Sequence, residues 1–246
     1  METVQQTADA VRLTPTIWQV PFPMGHVYLV RLRTGFAAVD TGVPGSGPAI
    51  LAALAHLGAG PEQLRQIVLT HAHGDHMGSA ADLADATGAV VLAGVDDAPV
   101  IRGDRPDTFR PLTGSEHALL ASFPPPPPGA EPPPLRRVPV DTELRGGDTL
   151  DDWPEPVEVL HVPGHTPGSI ALHLPASRVL FCGDTIMIRD GRAMLGPFSL
   201  DRDQAIASFH RLAALDIQTL CVPHGDPVSP GAWALLLAAT PERDWL

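Results

Sequence analysis

The stretch VLTHAHGDHMGSAADLA, residues 68–84, places three histidines and one aspartate within six positions at the end of an apolar run. Turn formation alone requires neither alternating imidazoles nor an adjacent carboxylate and imidazole. Both side-chain types are ligands that zinc, manganese and iron share. The stretch therefore predicts a metal-binding loop between a buried strand and a helix. Its candidate ligands are His71, His73, Asp75 and His76.

Length and composition predict one large domain, residues 1–246, with an insertion. The chain has 246 residues, of which 44% are hydrophobic, as is typical of a soluble globular protein. No apolar run reaches the ~20 residues that a membrane helix needs, and the first residues lack a signal-peptide pattern. We therefore expect a cytoplasmic protein without a membrane partner.

The charge argues against a nucleic-acid-binding protein, and the number of cysteines argues against a disulfide-rich one. The net charge is −12, and proteins that bind nucleic acids usually carry a basic patch, so a small-molecule substrate is expected instead. Cys182 and Cys221 are the two cysteines of the sequence, too few for a disulfide framework, and each lies in an apolar run. Both are predicted to be thiols of the core.

Strand and helix patterns alternate along both halves of the chain. QIVLT (66–70) has the pattern of a buried strand, GSAADLADATG (78–88) that of a helix, and AVVLA (89–93) that of a further strand. In such units ligands gather at the carboxyl ends of the strands. The second half repeats this character after residue 155. Two halves that pack through their sheets, with helices outside, predict a four-layer α/β sandwich.

The segment from about residue 95 to residue 144 differs in sequence character from both halves. It contains FPPPPPGAEPPP (123–134), which excludes helix and interior strand because proline lacks a backbone donor. One interpretation is a surface excursion in polyproline conformation. The other is a lid, in which residues 107–123 supply a short helix over the active site. Both stay open at this point.

Three further candidate ligands lie in loops marked by Gly or Pro, each directly after a strand-like run. They are His165 in HVPGHTPGS, Asp184 in LFCGDT and His224 in CVPHGDP. Together with the first four they make five histidines and two aspartates. This set suffices for two metal ions that share one bridging carboxylate.

The ordered motifs THAHGDH, PGHTPGS, FCGDT and PHGDP resemble those of the metallo-β-lactamase superfamily, over residues 17–224. VDTG, which begins at Val39 and contains Asp40, resembles the strand-end motif that supports the metal loops in that family. The resemblance implies an αββα sandwich with a dinuclear metal centre between its halves. It implies a first metal on His71, His73 and His165, a second on Asp75, His76 and His224, and Asp184 as the bridge.

Hydrolysis is the chemistry that such a centre favours. Water held between two divalent cations loses its proton near neutral pH, and a substrate oxygen can rest on one metal. Asp75 could accept the proton and pass it to the leaving atom. The ligands are nitrogen and oxygen only, which favours zinc and also suits manganese or iron.

A small carboxylic ester, thioester or lactone is the preferred substrate class. An iron-dependent oxidoreductase is the main alternative, although diiron relatives carry a glutamate where this chain has His73. Asp184 argues against a dedicated β-lactamase, and the acidic charge argues against a phosphodiesterase acting on nucleic acid. Glyoxalase-type thioesterases carry a helical C-terminal domain, which we do not expect after His224. Similar lactonases have a tyrosine after the bridging aspartate, which is missing here. A metal-binding module without catalysis is disfavoured by the complete ligand set.

Substrate contacts are predicted at three residues, His26 near the rim of the site and Arg189 and Arg192 after the bridging aspartate. A guanidinium can bind a carboxylate or phosphate in bidentate fashion. Solvated positions are the alternative for each of them. Apolar neighbours are expected to line a pocket for an acyl chain: Ile186, Met187, Ile188, Met194 and Leu195. The sequence leaves the oligomeric state open.

Overall fold

The computed structural model describes residues 10–123 and 133–246, so most of the predicted proline segment, residues 124–132, lies outside the described residues. The strands of the first half form one sheet whose order follows the chain. They are β1 (Val11–Arg12), β2 (Ile17–Val20), β3 (Val27–Leu32), β4 (Gly35–Val39), β5 (Leu64–Leu69), β6 (Val90–Gly94) and β7 (Thr142–Leu144). Pairing is antiparallel from β1 to β4 and parallel from β4 to β7.

The strand that leads into the histidine motif lies inside this sheet. β5 pairs in parallel with both β4 and β6. Parallel strands are covered on both faces and therefore read as continuous apolar runs, which explains why Ile67, Val68 and Leu69 are all fully buried. The motif consequently begins at the carboxyl end of a rigid, buried strand.

The second half contributes a smaller sheet and a hairpin. Its strands are β8 (Glu158–His161), β9 (Ile170–Leu174), β10 (Val179–Phe181), β11 (Ile186–Arg189), β12 (Arg192–Leu195) and β13 (Thr219–Cys221). The sheet has the order β13, β10, β9, β8, and only β13 and β10 pair in parallel within the described residues. β8, β10 and β13 therefore run in the same direction and end at one edge. β11 and β12 form the separate hairpin.

Helices cover the outer faces of both sheets. The α-helices of the described residues are α1 (Gly47–His56), α2 (Gly74–Met77), α3 (Ala80–Thr87), α4 (Ala98–Arg102), α5 (Gly114–Ser122), α6 (Arg202–Ala213) and α7 (Ala232–Ala238). α1 and α3 pack on the first sheet, and α6 and α7 pack on the second. Between the sheets, Val30 and Val68 share a buried core with Leu172 and Phe181. This arrangement confirms the predicted four-layer sandwich.

The insertion predicted at about residues 95–144 covers fewer residues in the structure. At its start, α4 belongs to the first core through the fully buried Ile101. At its end, β7 pairs with β6 and completes the sheet. The excursion from the sandwich therefore begins near residue 103 and ends near residue 137, since Val138 is again buried in the first core. α5 lies within it and confirms the predicted short helix. Among the described residues, no helix combines the length and the apolar character needed to cross a membrane.

Candidate metal centre

Seven potential ligands meet at the edge where the two sheets face each other. Each follows a strand: the first motif follows β5 and continues into α2, and the others follow β8, β10 and β13. Their binding atoms form three overlapping groups, each with its atoms within 4.8 Å of one another. The first group is His71, His73 and His165, and the second is Asp75, His76 and His224. The third, His71, His76 and Asp184, joins the other two.

The first group consists of three imidazole nitrogens. Nδ1 of His73 lies 3.1 Å from Nε2 of His71 and 2.9 Å from Nε2 of His165. A single proton on His73 can serve only one of these two contacts. Zinc with bonds of about 2.0–2.1 Å holds tetrahedral ligands roughly 3.3 Å apart. The three nitrogens are therefore spaced closely enough to share one cation.

The second group combines a carboxylate with two imidazoles. Oδ2 of Asp75 lies 3.6 Å from Nε2 of His76 and 3.4 Å from Nε2 of His224. These distances also suit the edges of a tetrahedral zinc site. The residues present therefore fit a second cation as well as the first.

Asp184 lies between the two groups. Its Oδ1 is 3.3 Å from Nε2 of His76, and its Oδ2 is 3.4 Å from Nε2 of His165 and 3.3 Å from Nε2 of His224. Nε2 of His76 and Oδ1 of Asp184 are buried and have no hydrogen-bond partner within the described part of the chain. Buried polar atoms without a partner are costly, and a bound cation would satisfy both.

Burial and charge shift the pKa values in the centre in opposite directions. Burial lowers the pKa of His71, and it lowers the pKa of His165 to about 3. Burial also opposes the charge on His224, but Asp184 and the hydrogen bonds with Asp184 and Asp75 outweigh it and raise its pKa to about 9. The pKa of His76 is raised in the same way, because the three aspartates near it outweigh its burial. These shifts favour neutral imidazoles at His71 and His165 and protonated ones at His76 and His224.

Asp40 supports the second group through a contact with His76. Its carboxylate accepts hydrogen bonds from the backbone and the hydroxyl of Thr70, both at 2.8 Å, and lies 2.9 Å from Nδ1 of His76. A proton on Nδ1 that points at this carboxylate leaves Nε2 free for a metal. The position of Asp40 directly after β4 agrees with the support that its motif predicts for the metal loops.

Asp97 joins the two halves of the centre, and the sequence analysis missed it. Its carboxylate accepts hydrogen bonds from the backbone of Ala72 at 3.0 Å, the hydroxyl of Thr166 at 2.7 Å and the backbone of Gly168 at 2.8 Å. It thereby connects the loop after β5 to the loop that carries His165. Its place three residues after β6 is the signal that could have identified it.

A cavity of about 710 Å³ opens over the candidate ligands. Its floor contains His73, Asp75, His165, Asp184 and His224. One wall comes from the excursion between α4 and β7, including Phe109, Leu119, Leu120, Phe123 and Leu135. The segment predicted as a possible lid therefore borders the site.

Two of the three predicted substrate residues line this cavity, namely His26 and Arg189. Nδ1 of His26 accepts a hydrogen bond from the backbone of Phe22 at 3.1 Å, and burial is the main reason that the pKa of His26 is lowered. Arg192 is not among the described residues of the lining. It lies directly opposite Arg189 in the hairpin, and both are exposed.

The hairpin register corrects the predicted apolar pocket. Met187 lines the cavity, as expected. Ile186, Ile188 and Leu195 project from the opposite face of the hairpin and are buried in the core of the second sheet. Met194 packs against that core as well. The prediction was wrong for Ile186, Ile188 and Leu195 because alternation along a strand sends neighbours to opposite faces. Met194 pairs directly with Met187 and shares its face, but it is not among the described residues of the lining.

The remaining histidines and both cysteines lie outside the three groups. Among the described residues these histidines are His26, His56, His117, His161, His173 and His210. Cys182 and Cys221 are buried core thiols, as predicted, and burial raises the pKa of each. Tyr28 is also buried, and its hydroxyl donates to the carbonyl of Val222 at 2.6 Å. The candidate centre is therefore built from nitrogen and oxygen ligands.

Known proteins share this sequence pattern and this fold. Residues 20–224 match the model of the metallo-beta-lactamase superfamily. The uncharacterized protein YobT of Bacillus subtilis is 31% identical over 85% of this chain and 88% of its own length. A hydroxyacylglutathione hydrolase of Cereibacter sphaeroides is 35% identical over 81% of this chain, and the match spans 62% of that relative.

A solved structure supports the same assignment at the level of the fold. BJP-1, a subclass B3 metallo-beta-lactamase of Bradyrhizobium japonicum, superposes with a TM-score of 0.65 at 23% identity, over 96% of this chain and 92% of its own. At this identity the likeness concerns the fold alone. The family match covers all seven candidate ligands. The chain therefore belongs to the metallo-beta-lactamase superfamily of metal-dependent hydrolases.

Proposed function

We propose that the chain is a dinuclear metal-dependent hydrolase that cleaves a small carboxylic ester, thioester or lactone. The position of Asp184 carries this proposal. Its Oδ1 lies 3.3 Å from Nε2 of His76, and its Oδ2 lies 3.4 Å from Nε2 of His165. Oδ2 also lies 3.3 Å from Nε2 of His224, so the carboxylate contacts ligands of both groups and could bridge two cations, as in hydrolases with paired metals.

The ligand types support zinc, and manganese or iron could use the same residues. The first ion would be held by His71, His73 and His165, and the second by Asp75, His76 and His224, with Asp184 shared. Bound divalent cations supply Lewis acidity, which lowers the pKa of water and polarises an acyl oxygen of the substrate.

Two aspartates are the proposed catalytic residues. The carboxylate of Asp75 borders the cavity and is one quarter exposed, so it can reach both water and substrate. We assign to it the proton transfer, in which it accepts the proton released on attack and returns it to the leaving oxygen or sulfur. Asp184 keeps the two ligand groups in register. Asp40 orients His76 through the contact at Nδ1.

The bond class is supported by the name of one relative. A protein 35% identical over 81% of this chain is called a hydroxyacylglutathione hydrolase, and such an enzyme cleaves a thioester. The match spans only 62% of that relative, so glutathione itself is not carried over. Esters and lactones present the same acyl carbon to a nucleophile, and they remain in the proposal for that reason.

The cavity supports a small-molecule substrate. Its volume of about 710 Å³ is within the range of about 300–1,000 Å³ that small-molecule sites occupy. The net charge of −12 disfavours a nucleic acid. At the rim we propose that Arg189 binds an acidic group of the substrate and that His26 donates a hydrogen bond. Arg192 adds positive charge opposite Arg189.

The test is an activity screen of purified protein reloaded separately with zinc, manganese or iron. The panel contains esters, thioesters, lactones, β-lactams and phosphodiesters, with acidic and neutral members of each acyl class. We expect cleavage of at least one acyl class that depends on added metal. Metal analysis of protein purified without added metal addresses the iron alternative.

Three results would contradict parts of the proposal. Turnover of phosphodiesters or β-lactams alone would show that the proposed class of scissile bond is wrong. Native iron together with oxygen consumption would replace hydrolysis by oxidoreduction. Equal cleavage of acidic and neutral analogues would remove the role of Arg189 and leave the remaining assignment intact.

A further inference from the structure

Large apolar side chains are exposed around the cavity in an unusual concentration. Half of the large hydrophobic residues that the described chain exposes line this one space. They are Met24 at 40% exposure, Phe109 at 79%, Leu120 at 47%, Phe123 at 39% and Leu135 at 38%. Apolar surface that gathers in one concave region commonly marks a ligand-binding site.

A partly buried ion pair between Arg110 and Glu116 holds this apolar wall in place. Both terminal nitrogens of Arg110 donate to the carboxylate of Glu116, at 2.9 Å and 2.6 Å. The same carboxylate accepts the backbone N–H of Phe198 at 2.7 Å, and Arg110 also donates to the carbonyl of Ser199. Phe198 borders the cavity as well. The wall is therefore fixed to the second half of the sandwich.

The wall continues into the candidate metal centre. Five of the seven potential ligands form the floor of the same cavity. A substrate whose acyl carbon lies over that floor would extend any attached chain along Leu120 and Phe109. Only Asp107, Arg110 and Arg189 carry charge on the described walls above the ligands, and Arg110 is neutralised by Glu116.

We propose that the substrate carries an apolar chain longer than an acetyl group, and that residues 107–123 with Met24 and Leu135 bind this chain. The inference rests on the proposed hydrolase function and narrows its substrate class. The occupant is one chain of the substrate, attached on either side of the scissile bond. A lipid surface is disfavoured by the concave shape and by the net charge of −12, which repels anionic headgroups.

A chain-length series tests the proposal with zinc-loaded protein. One set of thioesters and esters varies the acyl chain from two to twelve carbons with a fixed leaving group, and a second set varies the alcohol with a fixed acetyl group. Burial of each added methylene should raise kcat/KM about fourfold in one of the two sets, until the cavity is filled. The set that responds identifies the side that carries the chain.

Variants of the wall test whether these residues provide the gain. Phe109→Gln and Leu120→Gln should each lower kcat/KM for the octanoyl substrate, or its alcohol counterpart, about tenfold relative to the acetyl substrate. The matched control is Leu237→Gln on α7, an apolar residue with 66% exposure outside the cavity. It should leave the dependence on chain length unchanged. Equal metal content in all proteins excludes an effect through the centre.

Several outcomes would overturn the proposal. Hydrolysis without dependence on chain length in either set contradicts the subsite and leaves the hydrolase function standing. A rate that rises only above the critical micelle concentration points to docking on a lipid surface instead. If no acyl substrate is cleaved, calorimetry of 1-octanol binding to metal-free protein tests the apolar site directly. If 1-octanol binds and Leu120→Gln weakens the binding, the apolar site is supported. If 1-octanol does not bind, the apolar site is rejected.

Discussion

Asp184 occupies the point at which the two groups of potential ligands meet. It is buried, its oxygens lie within 3.4 Å of three imidazole nitrogens, and one oxygen has no hydrogen-bond partner in the described residues. The charges of the protonated His224 and His76 outweigh its burial and hold the pKa of its carboxyl well below the usual range. It therefore stays ionised over the pH range in which metal binds.

Replacement of Asp184 by alanine should lower metal content and hydrolysis together. Loss of the shared carboxylate removes one ligand from each group, so we expect fewer than two bound metals and a rate reduced at least a hundredfold. Elemental analysis and turnover of the best substrate measure both effects. His56→Ala, at an exposed position of α1, is the control. Two tightly bound metals in the Asp184 variant would disprove the assignment.

The two ligand groups should fill in order as the pH rises. The pKa of His165 is about 3 and that of His71 is lowered, so these imidazoles are neutral at pH 6 and available to a cation. A proton occupies His224 below its pKa of about 9, and the raised pKa of His76 favours a proton there as well. Metal must displace them.

Zinc titrations of metal-free protein should therefore show one tight equivalent at pH 6 and two at pH 9, with proton release accompanying the second. Calorimetry in buffers of different ionisation enthalpy measures both the stoichiometry and the protons. Equal affinity for two equivalents at both pH values would be the contrary finding.

Asp97 is a positioning residue whose removal should act through the ligand loops. Asp97→Ala leaves the donors of Ala72, Thr166 and Gly168 without their acceptor in a buried place. We expect a loss of about 3 kcal/mol in stability and weaker metal binding. The neighbouring exposed Asp96→Ala is the control. Thermal unfolding and metal affinity report the result, and Asp97→Asn should restore part of both. Unchanged metal affinity would limit Asp97 to a role in stability.

At the scale of elements, the excursion between α4 and β7 is separable from the metal centre. None of the seven potential ligands lies within it. Its two ends are adjacent, since Gly103 lies beside the side chain of Arg137, which donates to the carbonyl of Val100 at 2.9 Å. A short linker can therefore join them without moving α4 or β7.

Replacement of residues 104–135 by a short Gly/Ser linker should leave the metal content unchanged. Loss of the apolar wall should raise KM for apolar substrates about tenfold or more, or change the order of preferred substrates. Steady-state kinetics on the best substrate measures the effect, and elemental analysis provides the control. Identical kinetics would favour the interpretation of this segment as a plain surface excursion.

At the scale of the whole molecule, the candidate centre connects two halves that also meet through direct contacts. The backbone of Ile170 donates to the carbonyl of Thr70 at 2.9 Å, and that of His26 donates to Pro223 at 2.8 Å. An apolar core lies between the sheets. The halves are therefore held together without metal, and bound ions add to their stability by mass action.

Metal removal should accordingly lower Tm and keep the fold. Ligand at about a hundred times its Kd stabilises by about 2.7 kcal/mol, which corresponds to roughly 5–10 °C for a chain of this size. Differential scanning calorimetry with and without a chelator measures the shift, and circular dichroism checks the fold. Asp184→Ala should show a smaller shift. An unchanged Tm, or unfolding on chelation, would contradict this view of the two halves.

The sequence by itself determined the layer architecture and the candidate ligands. Apolar runs such as the one before Thr70 set the buried strands, and ligands that follow a strand end are local features of the sequence. His71, His165 and His224 could thus be identified although about 150 residues separate the first from the last. His165 and His224 converge because β8 and β13 run in the same direction and end at the same edge of one sheet, and His71 meets them from the end of β5 in the facing sheet.

Tertiary structure alone decided which side chains face the cavity. Met187 lines it and Ile186 does not, because the hairpin register fixes the face of each residue. Glu116 caps the start of α5, and its burial against Phe198 depends on how the excursion folds back. Asp97 acquires its role only when the loops of Ala72 and Gly168, which lie 25 and 71 residues from it in the sequence, approach it. Such long-range contacts leave no local pattern, since they depend on the packing of distant segments.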